Sequence, residues 1–533
     1  MDGDRRPLTS RAGTALLAAL PLGFLALFFA WPLVAILERS LVEGGRLDLP
    51  FDVLTSRSTI EIAWFTLWQA VVSTALTLVA SLPLTWALAR FSFTGRRLVE
   101  ALVLVPFVLP TVVVATAFVA LLPDGVERSV WAILLAHVFF NIAVVVRIVG
   151  PFWEGQDERA WDAAATLGAG PLRRLRLLTA PALAPALAAA ASIVFLFCFT
   201  SFGVIVILGG PRYATLEAEI YNQAARAFDL RTAAALAILQ LAAVAVVVGV
   251  AGRLERRLGG ARRARAQRPR RPVGAERAAV AGCVLVTLGL LALPLLALVE
   301  RSLAVAGGYG LDHYRALTRE TPALFVAPWH AILNSLLFAA AATSLALAVG
   351  VCTSLLAVRA HGGTLDALVM LPLGASAAML GFGFLIAFDD PPLDLRSSAW
   401  LVAVAQALVA TPFVVRTLAP ALRAVDQRLR DAAAVLGASP SQVRREIDLP
   451  LLARALGVAA GLAFAVCLGE FGATVFVARA DWPTLPVAVF RFLGRPGAAN
   501  AGQAMALCVV LMALTVATAL AAERAFALRG RRR

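Results

Sequence analysis

The sequence contains no lysine: all 48 of its basic residues are arginine. A nucleotide-binding P-loop needs a Gly-Lys-Ser/Thr lysine to reach the β- and γ-phosphates, so this chain cannot form one. If ATP drives it, another polypeptide binds the ATP. Cysteine is almost as scarce. Cys198, Cys283, Cys352, Cys467 and Cys508 all lie in apolar stretches, which argues against a disulfide framework and leaves no Cys-x-x-Cys metal motif. The four histidines, His137, His313, His330 and His361, have no ligand spacing. No serine or acid set suggests a nucleophile. An enzyme site, a metal and a resident cofactor are therefore not expected. Charge is also low, at 15% of residues against 60% hydrophobic, with mean hydropathy +0.82. Soluble domains are about 45–50% apolar, so the expected solvent is a lipid bilayer.

The apolar residues fall into runs. A membrane helix needs roughly 20 of them, and twelve candidates are present. The first six lie near residues 14–37, 61–88, 99–122, 130–149, 184–208 and 233–251. The other six lie near 276–299, 331–357, 366–388, 398–418, 455–478 and 503–522. The run at 14–37 is too long for a secretory signal and shows no small-x-small cleavage site. The expected fold class is therefore all-α and polytopic. A net charge of +15 could suggest nucleic acid, but the arginines cluster at the ends of the apolar runs. That placement fits the positive-inside rule and no nucleic-acid partner. It puts the N-terminus (Arg5, Arg6, Arg11), the 148–183 and 419–454 loops, the linker and the Arg529–Arg533 tail in the cytoplasm. Acids such as Asp124, Glu217, Glu219, Asp389, Asp390 and Asp481 fall in the opposite loops.

One segment occurs twice, 269 positions apart. Asp162-Ala163-Ala164-Ala165-Thr166-Leu167-Gly168 returns as Asp431-Ala432-Ala433-Ala434-Val435-Leu436-Gly437, and a proline follows each, Pro181 and Pro450. The same register links Arg90 with Arg359, Ala136 with Ala405, Arg147 with Arg416, Phe202-Gly203 with Phe471-Gly472 and Thr215-Leu216 with Thr484-Leu485. A duplicated module is implied, with residues 1–252 and 276–533 as its copies and the Arg-rich residues 253–275 as the linker. Six spans per copy is an even number, so the copies are parallel repeats and both polar loops face the cytoplasm.

Each loop reads as helix, tight turn, helix. Leu429 to Leu436 are good helix formers. Gly437 stands where a C′ glycine ends a helix, and Pro440 suits the first turn of the next. Small alanine side chains allow close approach to a partner protein. Arg173, Arg174, Arg176, Arg444 and Arg445 can meet acids or lipid phosphates. Taken singly, such a loop is an ordinary amphipathic connector; repeated in fixed register, it reads as a docking element.

At this point the sequence resembles a known family. Membrane subunits of bacterial ABC importers carry Glu-Ala-Ala, three residues, Gly, nine residues and Ile-x-Leu-Pro. Residues 431–450 follow that pattern to Ile447-Asp448-Leu449-Pro450, with Asp431 in place of Glu. The first copy departs further, with Asp162 and a Leu178-Thr179-Ala180-Pro181 ending. The resemblance implies a type I permease fold and a coupling helix, in each copy, that fits a cleft on a cytoplasmic ATPase. It also implies two ATPase subunits and an extracytoplasmic solute-binding protein as partners, and a place in the inner membrane. Fused permeases of this length resemble those for thiamine and for ferric iron. Residues 132–141, Phe197-Cys198-Phe199-Thr200-Ser201-Phe202, and Leu208-Gly209-Gly210-Pro211 with Thr215-Leu216-Glu217-Ala218-Glu219-Ile220-Tyr221 lean toward thiamine.

Polar groups inside the spans are costly, and function is their default reading. His137 and Asn141 share one helix face and either line a path or bridge helices. Glu470, whose repeat counterpart is Ser201, either meets a cationic substrate or holds the halves together. A secondary carrier with two parallel six-helix repeats is the rival from another class. It would need intramembrane acid–base pairs and has no use for paired Ala-Ala-Gly loops.

Overall fold

In lipid every backbone polar group must be satisfied within its own segment, and the Ala-, Leu- and Val-rich runs accordingly form helices. The computed structural model describes residues 11–530 apart from 44–45, 157, 211, 258–268, 360–368, 370, 373 and 390–392. Arg5, Arg6, Pro211, four linker arginines (Arg262, Arg263, Arg265, Arg268), Asp390 and the tail from Arg531 lie outside that set.

In the first half, α1 (Arg11–Leu25) and α2 (Trp31–Leu41) join through a widened helical turn into one span. Then come α3 (Arg57–Arg90), α4 (Arg96–Val108), α5 (Thr111–Leu121), α6 (Val130–Glu154) and α7 (Glu158–Thr166). Helices α8 (Ala180–Phe199), α9 (Gly203–Leu208), α10 (Leu216–Asn222) and α11 (Leu230–Arg257) complete that half. The second half holds α12 (Ala275–Leu303), α13 (Trp329–Arg359), α14 (Ala377–Ala387), α15 (Trp400–Arg423) and α16 (Gln427–Val435). It ends with α17 (Leu449–Gly469), α18 (Thr474–Val477), α19 (Leu485–Leu493) and α20 (Ala498–Gly530).

Among the described residues, ten helices are long and apolar enough to cross a membrane, or eleven with one bent pair. The expected run at 99–122 is not a straight span. It breaks at Pro110, and α4 and α5 meet at 101°. Proline disfavours helical geometry in the residue before it, and Leu109 is extended, with ψ 141°. The runs at 184–208 and 455–478 also stop short, at Phe199 and Gly469. The run at 366–388 is only partly described, and its described helix is α14.

Helix α3 is inside-out relative to a helix of a soluble bundle. Thr66, Gln69, Ser73, Thr77, Ser81 and Thr85 form a buried stripe along α3, and the hydroxyls at 77, 81 and 85 donate to the carbonyl four residues back. Trp64, Val71 and Val79 point outward from the same helix. Small and polar residues at helix contacts, with large apolar ones facing out, are the pattern of packing in lipid.

Helices α3 and α6 pack together, as do their repeat partners α13 and α15, and α8 and α17 join those pairs. The first spans cross over. In the second half, α12 packs on α3, α4 and α5 of the first; in the first half, α1 and α2 pack on α13 and α14 of the second. The short, largely buried helices α5 and α14 are thereby each clasped by the other half's leading span. The repeat extends to these spans in a shifted register: Glu38-Arg39-Ser40-Leu41 returns as Glu300-Arg301-Ser302-Leu303, followed in each case by a small antiparallel hairpin. Where the linker is described again, Arg270 is pinned to the end of α3 by backbone hydrogen bonds with Arg90 and Ser92.

Candidate functional site: paired docking loops and an aromatic plug

The two polar loops fold alike. Gly168 and Gly437 have φ of +79° and +85°, the left-handed region that ends a helix without penalty only for glycine. The Ala169 amide donates to the Ala164 carbonyl and the Gly168 amide to Ala165, both at 3.0 Å. Ala438 to Ala433 and Gly437 to Ala434 repeat those bonds at the same distances. Short helices start at Pro171 and Pro440, and α8 and α17 follow with Pro181 and Pro450 in their first turns.

The pattern of exposure repeats residue for residue from 162–170 to 431–439. Asp162, Ala163, Asp431 and Ala432 are exposed, while Ala164 and Ala433 face inward. Leu167 and Leu436, each immediately before the glycine, are both 87% exposed. Ile447 is half-buried at the base of α17. Two fully presented leucines at matching sites form a pair of apolar knobs, one on each loop.

The braces behind the knobs differ. Trp161 lies between the guanidinium groups of Arg90 and Arg174, 5.2 and 4.8 Å from its ring centre. Its counterpart Arg430 instead donates from Nε to Asp448 Oδ1 at 2.8 Å, tying α16 to the base of α17. Arg173, Arg176 and Arg445 are exposed, and the Arg444 side chain is outside the described set.

The second feature sits where the halves meet. Phe202 and Phe471, related by the repeat, stack at 5.4 Å and 29°. Tyr221 and Phe490, also repeat counterparts, meet edge to face at 6.0 Å. Phe202 contacts Tyr221 at 5.7 Å and Phe471 contacts Phe490 at 5.3 Å, so the four rings close into one cluster. Phe476 caps it against Tyr221 at 5.4 Å. The backbone makes room. A Cβ on Gly203 would fall 2.4 Å from Thr111 Oγ1, and one on Gly381 would fall 2.6 Å from the Ala473 carbonyl oxygen. The plug therefore sits at the ends of α8 and α17, held by close contact with the clasped helices α5 and α14.

The polar residues expected in a path divide between two places. His137 and Asn141 lie in a buried cluster between α3, α6 and α8. His137 Nδ1 is 2.9 Å from Ser73 Oγ, and Asn141 Nδ2 donates to the His137 carbonyl at 2.9 Å. Gln69 Nε2 donates to the Cys198 carbonyl at 2.9 Å. The matching positions in the second half are Phe338, Ala342, Gln406 and Ala410, so this cluster occurs once. Ser201 and Glu470 are buried beside the plug phenylalanines. The Glu470 carboxylate accepts from the Ala473 and Thr474 amides at 2.8 and 3.0 Å and from the Thr474 hydroxyl. It thus caps α18. Removing it strands two buried amides, at about 1–3 kcal/mol each. Glu470→Ala is expected to lower the melting temperature clearly and Glu470→Gln less so. A loss of transport at unchanged melting temperature would assign Glu470 to the path instead.

One of the outer-loop acids is buried. Glu217 is 1% exposed. Gln240 Nε2 donates to it at 3.3 Å, and α10, which carries it, packs against α14 of the other half. The loop sequence is polar enough to suggest solvent, but its fold tucks α10 between the halves.

Comparison with known proteins places these features. Residues 80–260 match the model of the family described as binding-protein-dependent transport system inner membrane component. The thiamine transport system permease protein of Brucella abortus is 30% identical over 561 aligned positions, covering 98% of each chain. The protein of that name from Escherichia coli is 27% identical and covers 84% of this chain and 87% of its own. A permease from Salmonella paratyphi A, named for 2-aminoethylphosphonate transport, is 31% identical over 44% of this chain but 88% of its own. It is about one half of this molecule. Near end-to-end similarity to a transport permease, together with the membrane helices and the repeated loop, shows that this chain belongs to the binding-protein-dependent transport system inner membrane component family, the multi-pass inner-membrane permeases of ABC importers.

Proposed function

We propose that this permease imports thiamine or its phosphate esters, taking the solute from an extracytoplasmic binding protein and releasing it into the cytoplasm. Two copies of an ATPase subunit dock below, one on α7 and one on α16, at residues 162–168 and 431–437. Both chain termini lie on that side. Residues 1–252 and 276–533 act as the two moving modules, joined by the 253–275 linker. ATP closes the ATPase pair and draws the two loops together. The modules tilt, and the Phe202–Phe471 plug between them parts. Ser201 and Glu470 then border the opening; His137 and Asn141 brace the helices that carry it.

The observation that carries the coupling is the matched presentation of Leu167 and Leu436 at 87% exposure on identically folded loops. A symmetric ATPase pair offers two equal clefts and so favours two equal knobs. The thiamine reading rests on relatives of that name that align with both halves of this chain.

Uptake into proteoliposomes containing this chain, its ATPase and its binding protein tests the proposal. ATP-dependent uptake of labelled thiamine but not ferric iron is the expected result. Iron uptake alone would keep the ATP-driven class and reverse the substrate. Uptake without ATP would overturn the coupling and return the secondary carrier.

A further inference from the structure

A cavity of about 320 Å³ opens between the halves, away from the docking loops. Helix α15 fixes the distance: it begins just after the loop that borders the cavity and ends three residues before α16, and its 24 residues span about 36 Å. The cavity volume is at the lower end for small-molecule sites. Arg39 lines it from α2, Phe228 from the turn before α11, Asp389 and Arg396 from the loop after α14, and Phe476 from α18. Phe476 also contacts the plug rings, so the cavity adjoins the plug.

Phe228 is the unusual member. Among the described residues it is the only non-glycine with positive φ, at +59°, and it is 78% exposed. A bulky side chain in that region of backbone space is a conformational outlier. Its neighbours hold it there. The Asp229 amide closes the preceding helix onto the Gln223 carbonyl at 2.9 Å. The Asp229 carboxylate caps α11 through the Thr232 amide and hydroxyl at 3.0 and 2.7 Å. The repeat counterpart of Phe228 is Gly497, with φ +113°. The position is thus a glycine in a longer turn in one copy and a presented aromatic ring in a tight left-handed turn in the other. Strain maintained against an available glycine points to use.

The charges are asymmetric too. Arg396 Nη1 donates to Asp389 Oδ1 at 2.6 Å, whereas Arg39 makes no ion pair among the described residues. Across the repeat, Asp389, Arg396 and Phe476 correspond to Ala120, Glu127 and Ile207. The two polar loops stayed alike while these lining residues diverged.

We propose that this cavity is the receiving site for the delivered solute. Phe228 presents its face to the flat cationic ring, and Arg39 meets the anionic group of a phosphate ester. The inference rests on the thiamine reading above and assigns the residues that would discriminate among its forms. The test uses the full complex in proteoliposomes, with labelled thiamine and thiamine monophosphate compared side by side. Phe228→Gly is expected to keep or raise the melting temperature, because it relieves the strained turn. It should raise the KM for both compounds about fivefold to tenfold, the scale of a lost ring contact, and Phe228→Trp should restore them. Arg39→Gln is expected to raise the KM for the monophosphate about tenfold while leaving thiamine within about twofold. Unchanged uptake in Phe228→Gly would overturn the proposal alone. So would an equal loss of both compounds in Arg39→Gln. If the unsubstituted complex takes up neither compound, the substrate reading fails and this assignment fails with it.

Discussion

Replacing Leu167 and Leu436 together by glutamate is expected to abolish ATP-driven uptake and leave the permease folded. Both side chains are 87% exposed and contribute nothing to the core, so the melting temperature should not move. Their value lies in what would cover them. Burying one leucine contributes about 1.5–3 kcal/mol, so two together set about 3–6 kcal/mol of ATPase docking. On that scale, affinity falls by roughly a hundredfold to ten-thousandfold. A buried carboxylate without a partner adds to the loss. Co-purification of the ATPase and solute-stimulated ATP hydrolysis are the measurements. Either single substitution should give an intermediate loss, because one cleft remains occupied. Gly437→Val is the backbone counterpart. Nothing lies within 4 Å of a Cβ there, so the cost is conformational, at about 1–2 kcal/mol for leaving the left-handed region to a non-glycine. The turn should re-form in another shape, with the knob displaced and coupling weakened. Full transport by the double glutamate variant with the ATPase still bound would refute docking through these loops.

The shape of the two polar loops was legible because its signals are local. A glycine that must be left-handed, prolines that begin helices and a fixed register need no tertiary information, and the hydrogen bonds around Gly168 and Gly437 follow from them. The long helices were legible for the same reason. The break at Pro110 was marked by the proline, but run length alone read residues 99–122 as straight. Hydropathy cannot tell lipid from a protein neighbour, so α5 and α14, largely buried in protein, look like pieces of ordinary spans. Nor could it show that α2 and α12 cross to the opposite half. The register aligned Phe202 with Phe471, yet nothing local says that two aligned residues touch. The burial of Glu217 was not legible because it depends on α10 lying against α14, a contact between residues more than 150 positions apart. Phe228 carried no sequence signal beyond its alignment with Gly497, and only the backbone revealed the strain.

The double variant Phe202→Ala, Phe471→Ala is expected to turn the closed permease into a leak. These rings are 6% and 2% exposed and stack where α8 and α17 end. Close approach through Gly203 and Gly381 leaves their neighbours little freedom to collapse inward. Truncating a buried phenylalanine costs about 3–5 kcal/mol where the site stays open, and an aromatic pair adds about 0.5–1.5 kcal/mol beyond its area. That stabilisation acts on the closed state, because the stack joins one half to the other. Removing it should favour separation of the halves more than unfolding of either. Proteoliposomes bearing the double variant should lose a preloaded small solute without ATP, and their ATP hydrolysis should become insensitive to the binding protein. Phe202→Leu with Phe471→Leu keeps most of the volume and should remain tight, separating ring loss from general damage. A melting temperature that collapses alongside intact retention of solute would make the plug a folding element rather than a gate. The clasp supports the gate: α5 and α14, held by the opposite half's leading span, deliver any relative movement of the halves directly to the two phenylalanines.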